Sequence, residues 1–294
     1  MRGSFVAALL SSFGASLFLA LIAPRALQSM HAREAAGLEA RCLRLVRGSL
    51  VAAMLALPAW LVLEASAIAE AANARQALAA IPTVLFSTSF GRVLIAQALT
   101  LLAAILAVRV QQSPQWRLAT VEFAGLATVL EAGHSHAFAI EDGPSLLLFS
   151  QSVHLLAAGA WLGGLAPLLI VVRGAMLRVA VETLRRFSDL AALSVAAIAA
   201  TAGWQGWRLA GGMAGLTRTA YGWVLLLKLT LFAVLLALAA VNRFRLTPAL
   251  SRRGAQPGRR ALIWTIAVET ALGLLVVLAT GVLSSLEPGM HAQG

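Results

Sequence analysis

The sequence predicts an all-α protein, a polytopic bundle of about eight transmembrane helices. Three observations carry that prediction. Of the 294 residues, 60% are apolar and 12% charged, about half the charged fraction of a soluble globular domain. The mean hydropathy of +0.85 is spread along the chain rather than held in one anchor. Apolar runs close to the roughly 20 residues that a helix needs to cross a bilayer recur from the first residues to the last.

Eight such runs can be marked: Phe5 to Ala23, Leu45 to Ala67, Val93 to Val110, Leu118 to Ala132, Gln151 to Val172, Leu190 to Trp207, Tyr221 to Val241 and Ala261 to Leu283. The first follows Arg2 in the manner of a secretory signal. Its end, Ala23-Pro24-Arg25, is a poor cleavage site and leads into an arginine-rich connection, so it reads as a retained helix. The fourth is the shortest. The fifth carries Gly159 and Gly163 in GxxxG spacing, which permits close helix approach. Packing accounts for those glycines and for Trp161. Thr88, Thr219, Trp204 and Trp207 read as helix-end and interface residues.

Of the 22 arginines, 17 fall in one set of alternate connections and 5 in the other, while Lys228 lies inside a helix. The arginine-rich side is cytoplasmic by the positive-inside rule, which puts both termini in the periplasm and agrees with an even number of spans. The net charge of +11 therefore reports topology and contact with lipid headgroups rather than a nucleic-acid partner. Thr88 to Gln97 and Thr219 to Lys228 align without a gap at an offset of 131, sharing Thr, Gly, Val and Leu. This suggests two parallel four-helix repeats, 1–140 and 141–294, with a site at their interface.

One cysteine, Cys42, excludes an intrachain disulfide framework, a CxxC pair and a thiolate zinc site, so a metal would be held by His, Met or carboxylate. His31 falls in a cytoplasmic connection. His134, His136, His154 and His291 fall on the outward side or at outward helix ends. In an extended segment the H-x-H spacing of His134 and His136 points two imidazoles the same way. His154 stands at the outer end of the fifth run and fits either packing or ligation. Met290-His291 adds a thioether and an imidazole in the outward tail, and Glu131, Glu141 and Asp142 supply negative charge nearby. Imidazole with thioether suits copper better than the oxygen-seeking cations, although these ligands alone do not separate copper from zinc or nickel. Glu122, Lys228 and Glu269 lie well inside runs, where ionisable groups are expected to face the bundle interior, a partner or a water-filled cavity.

From His154 onward the chain resembles the copper resistance protein D family of inner-membrane proteins. The matching pieces are His154-Leu-Leu-Ala-Ala-Gly-Ala-Trp161-Leu-Gly163-Gly164-Leu, Arg186-Phe-Ser, Thr219-Ala-Tyr221-Gly222 with Lys228, Asn242-Arg243-Phe-Arg-Leu-Thr-Pro248, and Glu269 with Gly273 and Pro288. The first half matches more loosely, through Gly133-His134 and Thr88-Ser-Phe-Gly91. The resemblance implies a multi-pass protein of the bacterial inner membrane that moves copper, often with a periplasmic copper carrier of the CopC type. It implies copper contacts at His154, and at His134, His136, Met290 and His291.

The expected function is capture of copper by outward imidazoles and its passage into a cavity between the halves, with Glu122, Lys228 and Glu269 tuning charge along the way. A ligating imidazole must be neutral, so metal affinity is expected to fall as pH drops through about 6.5. The alternatives are a haem-binding redox protein and a scaffold that holds a copper carrier without conducting. No P-loop, aspartyl-phosphate motif or Ser-His-Asp arrangement is present, so neither an enzyme nor an ATP-driven pump is expected.

Overall fold

The computed structural model describes residues 1–110, 114–134, 144–209, 220–252 and 256–283, and all regular structure among them is helical. Helix α1 (Arg2–Gln28) contains a π turn at Phe18–Ile22. It is followed by α2 (Ala32–Ile68), α3 (Ala74–Ser87), α4 (Ser89–Val110) and α5 (Pro114–Leu130), which closes in a 3₁₀ turn at Glu131–His134. Helix α6 (Pro144–Ala158) passes through a π turn at Gly159–Gly163 into α7 (Gly164–Gly174), and α8 (Leu177–Leu209) follows. Helix α9 (Ala220–Val241) passes through a π turn at Asn242–Leu246 into α10 (Thr247–Arg252), and α11 (Gln256–Leu283) completes the described chain.

Among the described residues, seven continuous helical stretches are long and apolar enough to cross a membrane. The fourth apolar run, on α5, is the exception: its helix has 17 residues, about 25 Å at 1.5 Å per residue. Two ion pairs nevertheless show that it reaches the same two levels as its neighbours. At its start Arg117 pairs with Glu39 of α2, and at its end Glu131 lies 2.9 Å from Arg2 Nε of α1. The second half keeps those levels. Gly281 of α11 packs on Gly3, at the Arg2 end, while Gly174 packs on Leu38, at the Glu39 end.

Three elements differ from the sequence expectation. The second apolar run belongs to a longer helix, α2, which starts at Ala32 rather than near Leu45. Helix α3 was not marked at all. It is nucleated by a reciprocal cap in which Asn73 Oδ1 accepts from the Gln76 amide at 3.0 Å and Gln76 Oε1 accepts from the Ala72 amide at 2.8 Å. The fifth run begins at Pro144 rather than Gln151, because proline is well placed in a first helical turn and the apolar residues Leu146 to Phe149 extend the helix backwards.

Helix α1 is the axis of the core. Phe5, Leu9 and Phe18 are almost completely buried; Phe5 meets Trp60 of α2 at 5.3 Å between ring centroids and Phe18 meets Phe187 of α8 at 6.2 Å. On another face, Gly14 packs against the backbone of Gly159 and Gly163, and Gly163 packs against Leu10. The GxxxG pair thus does what small residues do between membrane helices, letting two backbones touch. At the Glu39 end, Arg259 of α11 ties off the last turn of α7 by donating to the carbonyls of Val172 at 2.9 Å, Arg173 at 3.0 Å and Ala175 at 2.8 Å.

Candidate metal centre

The stripe Thr120, Ala124, Ala127, Thr128 and Glu131 on α5 has helical spacing and is buried, so the helix presents Glu131 inward as it ends. The 3₁₀ turn then carries His134 back over the bundle. Its ring packs against Trp60 (4.6 Å between centroids) and Phe90 (4.8 Å), which also touch each other at 5.2 Å, and the Arg2 guanidinium stands 5.9 Å from the Trp60 ring. The sequence expectation of an extended segment is therefore corrected at His134, which is held in a turn and packed rather than displayed in a loop.

Gln97 of α4, completely buried, organises the polar atoms. Its Nε2 donates to the Ala127 carbonyl and to Glu131 Oε2, both at 3.3 Å, and its Oε1 lies 3.0 Å from His134 Nε2. With the amide nitrogen committed to two acceptors, the amide oxygen faces the ring, and His134 Nε2 carries the proton. The other ring nitrogen, Nδ1, is buried and has no hydrogen-bond partner among the described residues. A buried imidazole lone pair with no partner is costly for a structural histidine and is the atom a soft or borderline cation would use.

Burial, and then the charge of Arg2, push the His134 ring down to about 3 from its ordinary value. It is neutral, hence able to ligate, across the physiological range. This corrects the expected fall of affinity near pH 6.5 as far as His134 is concerned.

His154 is placed differently from its sequence reading. It lies ten residues inside α6, about 15 Å along the helix from Pro144, and not at the outer end. Its Nδ1 is 2.9 Å from Thr201 Oγ1 of α8. Thr201 spends its own proton on the carbonyls of Ala197 at 2.7 Å and Ile198 at 3.1 Å, so its oxygen accepts from Nδ1–H and the lone pair of His154 is on Nε2. One turn nearer Pro144, Gln205 donates to Ser150 at 3.1 Å. Lys228 of α9 is half-buried and close enough for its charge to act on the His154 ring.

The remaining predicted residues separate. Glu269 of α11 is buried but accepts from Asn242 Nδ2, whose Oδ1 accepts from Thr265 at 2.6 Å, so it serves the π turn after α9 and not Lys228. Glu122 is exposed on α5 instead of facing the interior. His31 is exposed at the N-cap of α2. His136, Glu141, Asp142, Met290 and His291 lie outside the described residues. Among the described residues no three His, Cys, Asp or Glu side chains gather as a metal cage, and His134 and His154 are held by different helices. Sequence reasoning gave no role to Gln97, Arg2, Trp60, Phe90 or Thr201. Gln97 was findable, as the lone amide in the apolar run Val93 to Val110.

Comparison with known proteins places these features. The model of the copper resistance protein D-like N-terminal domain matches residues 1–146, and the copper resistance protein D model matches 181–283. The chain belongs to the copper resistance protein D family. The N-terminal match takes in Arg2, Gln97, Glu131 and His134, so the first half is as much a part of the family pattern as the second, while His154 lies between the two matched regions.

Among relatives in this family, the chain is 29% identical over 194 residues to inner membrane protein YebZ of Escherichia coli, covering 64% of each chain. It is 31% identical to copper transport protein CutJ of Bacillus subtilis, over 69% of this chain and 38% of that protein. It is also 31% identical to copper resistance protein D of Pseudomonas syringae pv. tomato, over 57% of each. The matches thus span between about a third and two thirds of those proteins' own lengths. No solved structure matches the chain. Family and helices together make this a multi-pass protein of the bacterial inner membrane.

Proposed function

We propose that this chain takes up copper at the end of the bundle marked by Arg2, Glu131 and His134, and that this end faces the periplasm. The arginine-rich connections support that orientation, because they lie at the opposite, Glu39 end. The observation that carries the reading is the buried, unpartnered Nδ1 of His134, fixed as a lone pair by the Gln97 amide. Glu131, one turn away and paired with Arg2, accepts from Gln97 and so helps hold the amide that orients the ring. His136 follows two residues on, and Met290 and His291 follow α11, whose Gly281 packs at this same end, so these three complete the coordination.

His154 is a second and deeper stop on the way across the membrane, with Lys228 beside it repelling a cation that lingers. Copper arrives free or on a periplasmic carrier of the CopC type, which the family resemblance implies. Glu269, engaged by Asn242, holds the bundle together.

The test is the copper content of detergent-purified protein after loading and desalting. Wild type should retain copper near stoichiometry, His134→Ala should lose it, and Gln97→Leu should bind roughly 10- to 100-fold more weakly because the ring is no longer oriented. His31→Ala should match wild type. Full retention by His134→Ala would overturn the assignment, and uptake into liposomes by wild type separates conduction from mere binding.

A further inference from the structure

At the Glu39 end, one face of α8 and Leu250 of α10 border an open cavity of about 540 Å³, lined on α8 by Leu177, Arg178, Val181, Glu182, Arg185, Arg186 and Asp189. Its size falls in the range of small-molecule sites, and neither the copper reading nor the family match uses it. The two carboxylates in its wall are already engaged: Glu182 lies 3.2 Å from Arg186, and Asp189 accepts from Arg243 at 3.0 Å. With Arg243 counted, the wall holds four arginines and two acids, and among the described residues no carboxylate pairs with Arg178. The cavity is therefore electropositive, and guanidinium groups are the side chains best suited to bind phosphate in a bidentate way.

We infer that this cavity binds the headgroup phosphate of an anionic phospholipid. The wall has two characters. The arginines outnumber the acids, with Arg178 exposed, while Leu177, Val181 and buried Leu250 offer an apolar floor that a soluble phosphate has no use for. The cavity also opens where α8, a helix long and apolar enough to cross the membrane, begins at Leu177. Leading away from it are the exposed side chains of Met176 and Phe244, the latter 5.9 Å from the Arg243 guanidinium.

The experiment compares wild type with the exposed pair Arg178→Gln/Arg185→Gln and with a control, Arg33→Gln/Arg44→Gln, that removes the same charge from the exposed part of α2. Each protein is placed in nanodiscs of phosphatidylcholine containing a small fraction of phosphatidylglycerol, extracted into mild detergent, and weighed by native mass spectrometry. Wild type and control should retain a phosphatidylglycerol molecule in preference to phosphatidylcholine, and the cavity variant should retain it at least about tenfold less. Equal loss in the control would reduce the effect to general surface charge and overturn the site. Displacement of the lipid by millimolar inorganic phosphate would overturn the lipid assignment in favour of a free anion. Retention by the cavity variant equal to wild type would overturn both.

Discussion

Replacing Gly163 by alanine tests the close contact between α1 and the helix that carries His154. A Cβ at Gly163 would stand 2.0 Å from the Leu10 carbonyl oxygen, 2.8 Å from its carbon and 3.1 Å from Gly14 Cα. The obstacles are backbone, which no rotamer change can move aside. To restore ordinary contact the two helices must part by more than an ångström, and overpacking of that kind costs about 1–3 kcal/mol. Against this stands the helical preference for alanine over glycine, worth up to about 1 kcal/mol. The net expectation is a loss of about 1–2 kcal/mol, or roughly 5- to 30-fold in the unfolding equilibrium.

Gly48→Ala provides the control, since nothing lies within 4 Å of a Cβ at Gly48 and only the favourable term remains. It should gain about 0.5–1 kcal/mol. Titration of the purified protein with sodium dodecyl sulfate in mixed micelles, followed by tryptophan fluorescence, reads both. Gly14→Ala, whose Cβ would stand 2.0 Å from the Gly159 carbonyl oxygen, should resemble Gly163→Ala, and the double variant should be less than additive because the parting of the helices is shared. A Gly163→Ala protein as stable as Gly48→Ala would refute the claim that the backbones touch.

With His136→Ala and His291→Ala in place, so that His134 is the remaining imidazole of the site, copper affinity should change less than about twofold between pH 7.5 and 5.5, measured by competition with a chelator of known affinity; a histidine with an ordinary pKa would lose about tenfold over that interval. Because the folded ring titrates near 3 and an unfolded one near 6.5, its contribution to stability is complete above about 6.5 and is lost as the pH falls toward 3. Arg2→Met should lower stability by about 1–3 kcal/mol by leaving the buried Glu131 carboxylate without its cation, a value discounted because Arg2 is partly exposed. Asn242→Leu should cost about 1–3 kcal/mol by removing a donor from buried Glu269, without changing copper retention.

The membrane helices were legible in the sequence because hydrophobic length is a direct physical requirement of the bilayer, and Gly159 and Gly163 were legible as a packing device because their spacing has one common use. Elements whose stability comes from a local cap were not. The signal for α3, Asn73 followed by Gln76, is short and sits between two much stronger apolar runs. The depth of His154 is not legible from hydropathy, because the polar and proline residues Pro144 and Ser145 that open its helix carry no apolar signal. The first half of the site was half legible. His134 and Glu131 stood out as polar groups near a helix end, but the residue that joins them, Gln97, belongs to another helix, and periodicity along one helix carries no information about which neighbour it faces. The repeated Thr and Gly of the two aligned segments gain a local meaning from the first of them. Thr88 caps α4 by accepting from the Gly91 amide at 3.0 Å, and Gly91 lets that helix lie against the Leu85 carbonyl.

The contact of Gly14 with Gly159 and Gly163 bears on how such a molecule could move. A passage stopped by side chains opens by rotation about χ angles, on a timescale of picoseconds to nanoseconds. Where main chain rests on main chain there is no hinged leaf to swing, and a gap forms only when whole helices slide apart, which takes microseconds or longer. Along this line α1 and the helix that carries Gly159 and Gly163 meet as a weld rather than a doorway.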